Sequence, residues 1–186
     1  MCQANPAVSS LENRGEIYYR LGVKPIVNAF GTNTDLGGSV MDSEVLEAMS
    51  DAGRVMVSLS ELNKKAGEII ARHTRAEAGL VTAGAAAGMM LQAAACIAGD
   101  NAANIKRLPD TTGMKNEIVL KRSHKNEFVR VWQQAGAKLV LTGDNSGDIK
   151  AAITEKTSAL AFVASRWNPD SFDGLDELIR IGRTHS

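Results

Sequence analysis

Val81-Thr82-Ala83-Gly84-Ala85-Ala86-Ala87-Gly88-Met89-Met90-Leu91 is the stretch whose reading decides the fold. Its composition predicts a short apolar strand, Gly79 to Thr82, that runs into a turn of the smallest residues. A helix of small and apolar side chains then continues to Ile97. Such a turn leaves first-turn N–H groups open at the positive end of the helix dipole, with no side chain in the way. That arrangement suits an anion, most often a phosphate. Gly84, Ala85 and Ala86 are the candidate cradle. No Gly-Lys-Ser/Thr follows, as a P-loop requires, and no G-x-G-x-x-G is present. The local residues leave two readings open, a generic phosphate turn or a close-packed helix of small residues.

Outward from this junction, helix and strand alternate. Leu11 to Leu21 reads as a short helix and Pro25 to Asn28 as a short strand. Ala29 to Val40 is a loop rich in Gly, Thr and Asn. Asp42 is placed to cap a helix bearing Val45, Leu46 and Met49. Ser58 and Glu61 form a capping-box signature before an apolar stripe of Leu59, Leu62, Ala66, Ile69 and Ile70. Beyond Ile97 the sequence predicts a polar loop (99–116), a strand (118–120) and a helix (126–135) ended by Gly136. A strand (138–142), a short helix (148–155), a near-continuous apolar strand (158–164) and a helix from about Asp173 complete the pattern. Strands separated by helices, with apolar runs such as Leu160-Ala161-Phe162-Val163, predict an α/β fold with a mostly parallel sheet and flanking helices. Ligands in such sheets sit beyond the C-terminal ends of the strands. The last helix stops where another strand is due, so the pattern describes a truncated sheet.

Bulk composition narrows the function classes. The 186 residues suit one domain or part of a larger one; 44% are hydrophobic and 23% charged, with formal net charge +0. No chain-wide basic field for nucleic acid exists, although Lys115, Lys121, Arg122 and Lys125 cluster in sequence. Two cysteines, Cys2 and Cys96, give neither a disulfide framework nor a metal spacing; Cys96 reads as a small core residue. The uncharged run from Ala78 to Gly99, about 22 residues, is long enough for a bilayer. Its Ala and Gly content and its central turn argue against a span. With no signal-peptide core near the N-terminus, these features favour a cytoplasmic protein.

Other candidates are few. His124 follows a strand, where a histidine can stack on a planar cofactor or transfer a proton; it can equally be a surface residue opening a helix. His73 and His185 fall near helix C-termini, where the dipole favours them. The loop Asn28 to Ser39, with Gly31, Gly37 and Gly38, has the make-up of a binding loop. Lys115, in the polar loop Leu108 to Glu117, is a possible anion contact or a solvated charge. No paired-carboxylate, Ser/His/Asp or zinc spacing stands out, so the residues offer no catalytic or metal-ligating set.

Taken in order, these pieces resemble one family. Ile26-Val27-Asn28-Ala29-Phe30-Gly31-Thr32, Leu36-Gly37-Gly38-Ser39, Gly67-Glu68-Ile69-Ile70-Ala71 and Ala76-Glu77-Ala78 begin the match. Val81 to Gly88, Leu108 to Glu117 and His124 continue it. The ordered set is similar to the selenium transferase-like pyridoxal-phosphate proteins, which include bacterial L-seryl-tRNA(Sec) selenium transferase and D-glucosaminate-6-phosphate ammonia lyase. The ammonia-lyase branch is the nearer, and tRNA is not an expected partner. The resemblance implies the N-terminal part of a fold-type-I (aspartate aminotransferase-like) large domain. Residues 1–57 would form an N-terminal segment with an active-site or interface loop, and residues 58–186 an incomplete cofactor-binding domain.

By position, the resemblance assigns Gly84, Ala85 and Ala86 to the phosphate of pyridoxal 5'-phosphate and His124 to its ring. It places Asn28 to Ser39 near the active site or a partner subunit. It implies a homo-oligomer acting on a small amino substrate by elimination or transfer. The family's Asp for the pyridine nitrogen and its Schiff-base Lys would lie beyond Ser186, and none of the lysines present occupies that motif, so the chain alone is expected to be inert. Arg75 stands where relatives usually have Gly, Ala83 where a Ser is common, and Phe128 where a Tyr is common. Two alternatives stay open, a non-catalytic protein that binds a phosphate ligand or oligomerises, and a nucleotide-binding α/β enzyme using the same turn.

Overall fold

The structure is a computed structural model that describes residues 15–164 and 174–185. The chain divides into two compact units, Met1–Leu59 and Ser60–Ser186.

In the first unit, helix α1 spans Glu16–Arg20 and α2 spans Ser43–Ala52. Asp42 precedes α2 in extended conformation but makes no side-chain capping bond. Between the helices, the Asn33 side chain accepts from the Asp35 N–H at 2.9 Å and opens a 3-10 turn, Thr34–Leu36. Asn33 and Gly38 exchange backbone hydrogen bonds of 3.1 and 2.8 Å, closing the loop on itself. The strand expected over Pro25 to Asn28 is not formed. A strand needs a neighbouring backbone to complete its ladder, and the Asn33–Gly38 bridge is the isolated pairing found here.

The second unit contains α3 (Leu59–Thr74, starting at the unit boundary), α4 (Ala85–Ala98), α5 (Ala102–Arg107) and β1 (Glu117–Lys121). It continues with α6 (Val131–Gln134), β2 (Lys138–Thr142), α7 (Ser146–Ala152), β3 (Thr157–Ala161) and α8 (Leu175–His185). The three strands form a sheet of order β2-β1-β3, parallel throughout. This is the α/β architecture expected from the sequence.

β1 is buried at all five positions, Leu120 completely. Its Ile118, Val119 and Leu120 each contribute about 1.5–3 kcal/mol by leaving water. Period-two alternation sorts side chains to the two faces of the sheet. Ala159, Ala161 and Val163 join the cluster beneath α4 and α6, which is built on Ala93, Ile97, Leu120, Val129 and Trp132. Leu160 and Phe162 join the opposite cluster with Ile149 of α7 and Leu178 and Ile181 of α8.

At the N-terminal end of the sheet one carboxylate ties all three strands. Glu117 accepts from Lys138 Nζ of β2 at 2.9 Å and from Thr154 Oγ1, just before β3, at 2.7 Å. These hydrogen bonds, from Lys138 first and Thr154 second, hold its pKa below the usual carboxylate value. On the other face, Glu177 of α8 is pulled down to about 2 by Arg180 and by Ser146, the first residue of α7.

Several expectations are corrected. The segment Gly79 to Thr82 does not form a strand. Its would-be ladder bonds at Val81 go to a side chain, with Val81 N–H donating to Asn63 Oδ1 and Asn63 Nδ2 donating to Val81 O, both at 3.2 Å. The loop expected over 99–116 contains α5, because Asn101 caps the N–H groups of Ala103 and Asn104 at 3.0 and 3.1 Å. The helix expected over 126–135 opens as a 3-10 turn, Glu127–Arg130, whose first N–H groups are held by Asn126. Only Val131–Gln134 is α-helical there. Asn145 caps α7 and starts it two residues early. Cys96 is exposed on α4, since the inward stripe is Ala93 and Ile97, one turn apart, and Cys96 points away from it. Residues 11–14 and Asp173, parts of expected helices, lie outside the described residues. No helix among the described residues is long and apolar enough to cross a membrane.

Two glycine-related positions yield stability predictions. Gly67, buried in α3, lies so close to the next segment that a Cβ there would sit 2.2 Å from the Gly79 carbonyl oxygen. Gly67→Ala forces backbone apart and should lower unfolding free energy by about 1–3 kcal/mol in a urea titration. Arg75 is the non-glycine residue with positive φ (59°) among the described residues, just past the end of α3, where glycine is favoured. Arg75→Gly should raise unfolding free energy by about 0.5 kcal/mol in the same titration, steric relief outweighing the added freedom of the unfolded chain.

Candidate functional site

Two groups of residues carry the candidate chemistry, and both belong to the second unit. The first is the elbow before α4. Gly84 precedes the helix with φ 95° and ψ 173°, a conformation natural only to glycine, and no side chain caps the helix. Thr82 shapes the elbow: its carbonyl accepts from Gly84 N–H at 2.8 Å and its hydroxyl donates to Gly84 O at 3.0 Å. Gly84 O in turn accepts from Gly88 N–H at 3.2 Å. The N–H groups of Ala85 and Ala86 belong to the first turn, which has no intrahelical acceptor for them. Ala83, Gly84, Ala85 and Ala86 are all exposed. An anion reaching this turn meets backbone donors and the positive end of a helix of 14 residues. Nothing lies within 4 Å of the space beside Gly84. The residues present fit a phosphate group.

The second group gathers beyond the C-terminal edge of the sheet. His124 ends a 3-10 turn, Arg122–His124, that follows β1 directly. Its Nδ1 accepts from the Val163 N–H, past the end of β3, at 3.3 Å. Its ring meets Phe162 edge-on, with centroids 4.6 Å apart and planes at 83°. Because Nδ1 is an acceptor, the neutral ring carries its proton on Nε2. Ser123 donates to Asp144, past the end of β2, at 2.6 Å. The three strand ends thus converge on Ser123, His124, Asp144 and Val163. Lys121 closes β1 beneath them and is buried.

Burial of His124 lowers its pKa first, and the nearby Lys121 charge lowers it further; Asp144 opposes both. His124 is only 6% exposed, so it is neither the surface residue nor the helix opener that the local sequence allowed. Among the described residues no hydrogen bond or ring contact links His124 to Gly84, Ala85 or Ala86. Ser123 and Asp144 escape motif reading because neither belongs to a recognisable pattern. The available signal is topological: in a parallel sheet, the residues just past each strand end meet.

Other expected features lie elsewhere. Lys115 lines a hollow of about 370 Å³ with Thr111, Gly113, Met114, Asn116, Glu155 and Lys156. This hollow is at the N-terminal edge of the sheet, away from where parallel sheets bind ligands. His73 and His185 fall in the last turns of α3 and α8, where the sequence put them. No group of three His, Cys, Asp or Glu among the described residues could hold a metal ion.

Comparison with known proteins adds a lineage. No family model matches the chain. It is 36% identical over 179 residues to a 5'-C-glycyluridine monooxygenase-decarboxylase of Streptomyces sp, covering 90% of this chain and 45% of that protein. It is 34% identical over 157 residues to a D-glucosaminate-6-phosphate ammonia lyase of Salmonella typhimurium, covering 80% of this chain and 42% of the lyase. A solved structure of a D-glucosaminate-6-phosphate ammonia-lyase superposes with a TM-score of 0.85 at 31% identity, over 91% of this chain and 48% of that one. The chain spans about half the length of the curated relatives it matches. These homologues are consistent with the N-terminal half of a protein of the selenium transferase-like group that the ordered motifs resemble.

The lowered His124 pKa has a measurable consequence. Its neutral form is favoured by folding, so its contribution is present above the unfolded value of about 6.5 and is lost as pH falls below it. An NMR titration should place His124 below 6.5. Between that value and 6.5 the wild-type protein should lose stability on acidification more steeply than His124→Phe.

Proposed function

We propose that this chain is about half of a selenium transferase-like protein, that it binds pyridoxal 5'-phosphate through the elbow before α4, and that the whole enzymes of that group are lyases or transferases acting on amino substrates. The observation that carries the reading is the exposed, uncapped N-terminus of α4 in a homologue of an ammonia lyase. Gly84 supplies the backbone geometry, and the Ala85 and Ala86 N–H groups supply the donors for the phosphate. When bound, the cofactor supplies an electron sink for charge developing beside the substrate's amino group.

The remaining residues of the site hold and orient. His124 offers a flat ring at the C-terminal end of the central strand, held by Val163 N–H and Phe162. Its neutral, Nε2-protonated form suits it to lie against an aromatic ring without adding charge. Asp144 and Ser123 fix the turn that carries it. In this reading the group's Schiff-base lysine is not among these 186 residues, so the cofactor is held reversibly and the 186-residue chain is inert alone.

Self-association is part of the proposal. In the first unit Val27, Val40 and Met56 are 97%, 98% and 102% exposed. Apolar surface of this kind accords with an interface between copies, since homodimer interfaces are richer in apolar area than the general surface. The same surface favours a second reading, in which the chain is a non-catalytic subunit that binds a phosphate ligand and oligomerises.

The test uses the 186-residue protein. Pyridoxal phosphate should quench the protein's tryptophan fluorescence saturably and reversibly, and inorganic phosphate should compete. Borohydride should leave no lysine stoichiometrically modified. Preference for a nucleotide over pyridoxal phosphate would defeat the cofactor assignment, and trapping on one lysine would defeat the claim of inertness.

A further inference from the structure

We infer that Asn63 of α3 is a positioning residue for the phosphate-binding elbow, acting from a helix that contributes no donor of its own to the anion. The inference rests on the reading of Gly84 to Ala86 as a phosphate site. Asn63 uses both halves of its side-chain amide on one residue: Oδ1 accepts from Val81 N–H and Nδ2 donates to Val81 O, each at 3.2 Å. An amide side chain has the same donor and acceptor as a peptide unit, so Asn63 occupies the place a neighbouring strand would take. The segment entering the elbow is thereby fixed one residue before Thr82, whose hydroxyl and carbonyl set Gly84.

The close approach this requires is built into two glycines. Gly67 lies one helical turn after Asn63, on the same face of α3. A Cβ on Gly67 would sit 2.2 Å from Gly79 O, and a Cβ on Gly79 would sit 2.7 Å from the Ile70 side chain. Only this bare crossing lets residues 79–82 lie against α3 closely enough for Asn63 to reach Val81. Asn63 itself is half-buried. Backbone donors bind an anion well when their geometry is fixed before the anion arrives. Without Asn63, binding phosphate must also order the Val81–Gly84 segment.

The experiment measures dissociation constants of the 186-residue protein for pyridoxal phosphate, inorganic phosphate and phosphate-free pyridoxal. Amide NMR shifts of Ala85 and Ala86 give the site-specific readout. Asn63→Ala should weaken pyridoxal phosphate and inorganic phosphate by about fivefold or more, the scale of two lost neutral hydrogen bonds, and leave pyridoxal within about twofold. Asn63→Ser, which can keep one of the two bonds, should fall between. It stands as the deciding variant if Asn63→Ala does not fold. Equal phosphate affinity in wild type and a folded variant overturns the inference, as does an equal loss for pyridoxal and pyridoxal phosphate, the mark of a merely structural role. Failure of the wild-type protein to bind phosphate at all, with unmoved Ala85 and Ala86 amides, overturns the cradle reading itself, an outcome distinct from the other two.

Discussion

Burial of β1 on every side is the condition on which the second unit depends. Its edges are both occupied, by β2 and β3, and its faces are both covered, by α4 with α6 and by the α7–α8 layer. A strand so enclosed has no water to satisfy its backbone, so the parallel ladders are obligatory. The charged ends of the strand respect the same constraint. Glu117 is buried with Lys138 and Thr154 as partners, because a buried carboxylate without partners would cost several kcal/mol. With its N-terminal end pinned, β1 delivers Ser123 and His124 at a fixed height above the sheet.

The candidate site divides accordingly into a backbone half and a side-chain half. The backbone half, at α4, offers an anion peptide dipoles rather than a charged side chain, since that helix has no Lys or Arg. The side-chain half, at His124, is shaped by desolvation. Burial, then the Lys121 charge, favour the neutral ring, and the Val163 N–H selects which nitrogen holds the proton. In the proposed reading, physical chemistry of two kinds matches the two kinds of group a phosphorylated aromatic cofactor presents.

Much of this was legible in the sequence because it is local. The β2 segment, the small-residue turn before α4 and the C-terminal helix are written in apolar runs and glycines, and those are set by sterics and burial within a few residues. What was not legible depends on pairs distant in sequence. Residues 79–82 have the composition of a strand, and only the partner decides whether they become one; here the partner is an asparagine 18 residues upstream. Capping by Asn101, Asn126 and Asn145 moved three boundaries, each through one oxygen that reads on paper as loop polarity. Ser123 and Asp144 meet across 21 residues with no pattern between them. The family resemblance reached further than composition, since ordered motifs carry topology that no single window contains.

The tie at Glu117 also ranks the sheet's loops by the cost of closing them. Its bond to Lys138 closes a separation of 21 residues, whereas its carbonyl's bond from Ser158 closes 41. Each doubling of a loop adds about 0.6 kcal/mol of closure entropy, so the β1–β2 pair, with α6 between, closes at the lower entropy cost. The strand next to His124's acceptor contact is the costlier one to bring in. Val163 reaches the imidazole only once β3 is paired, so the contact that fixes the ring's tautomer hangs on the longer of the two closures.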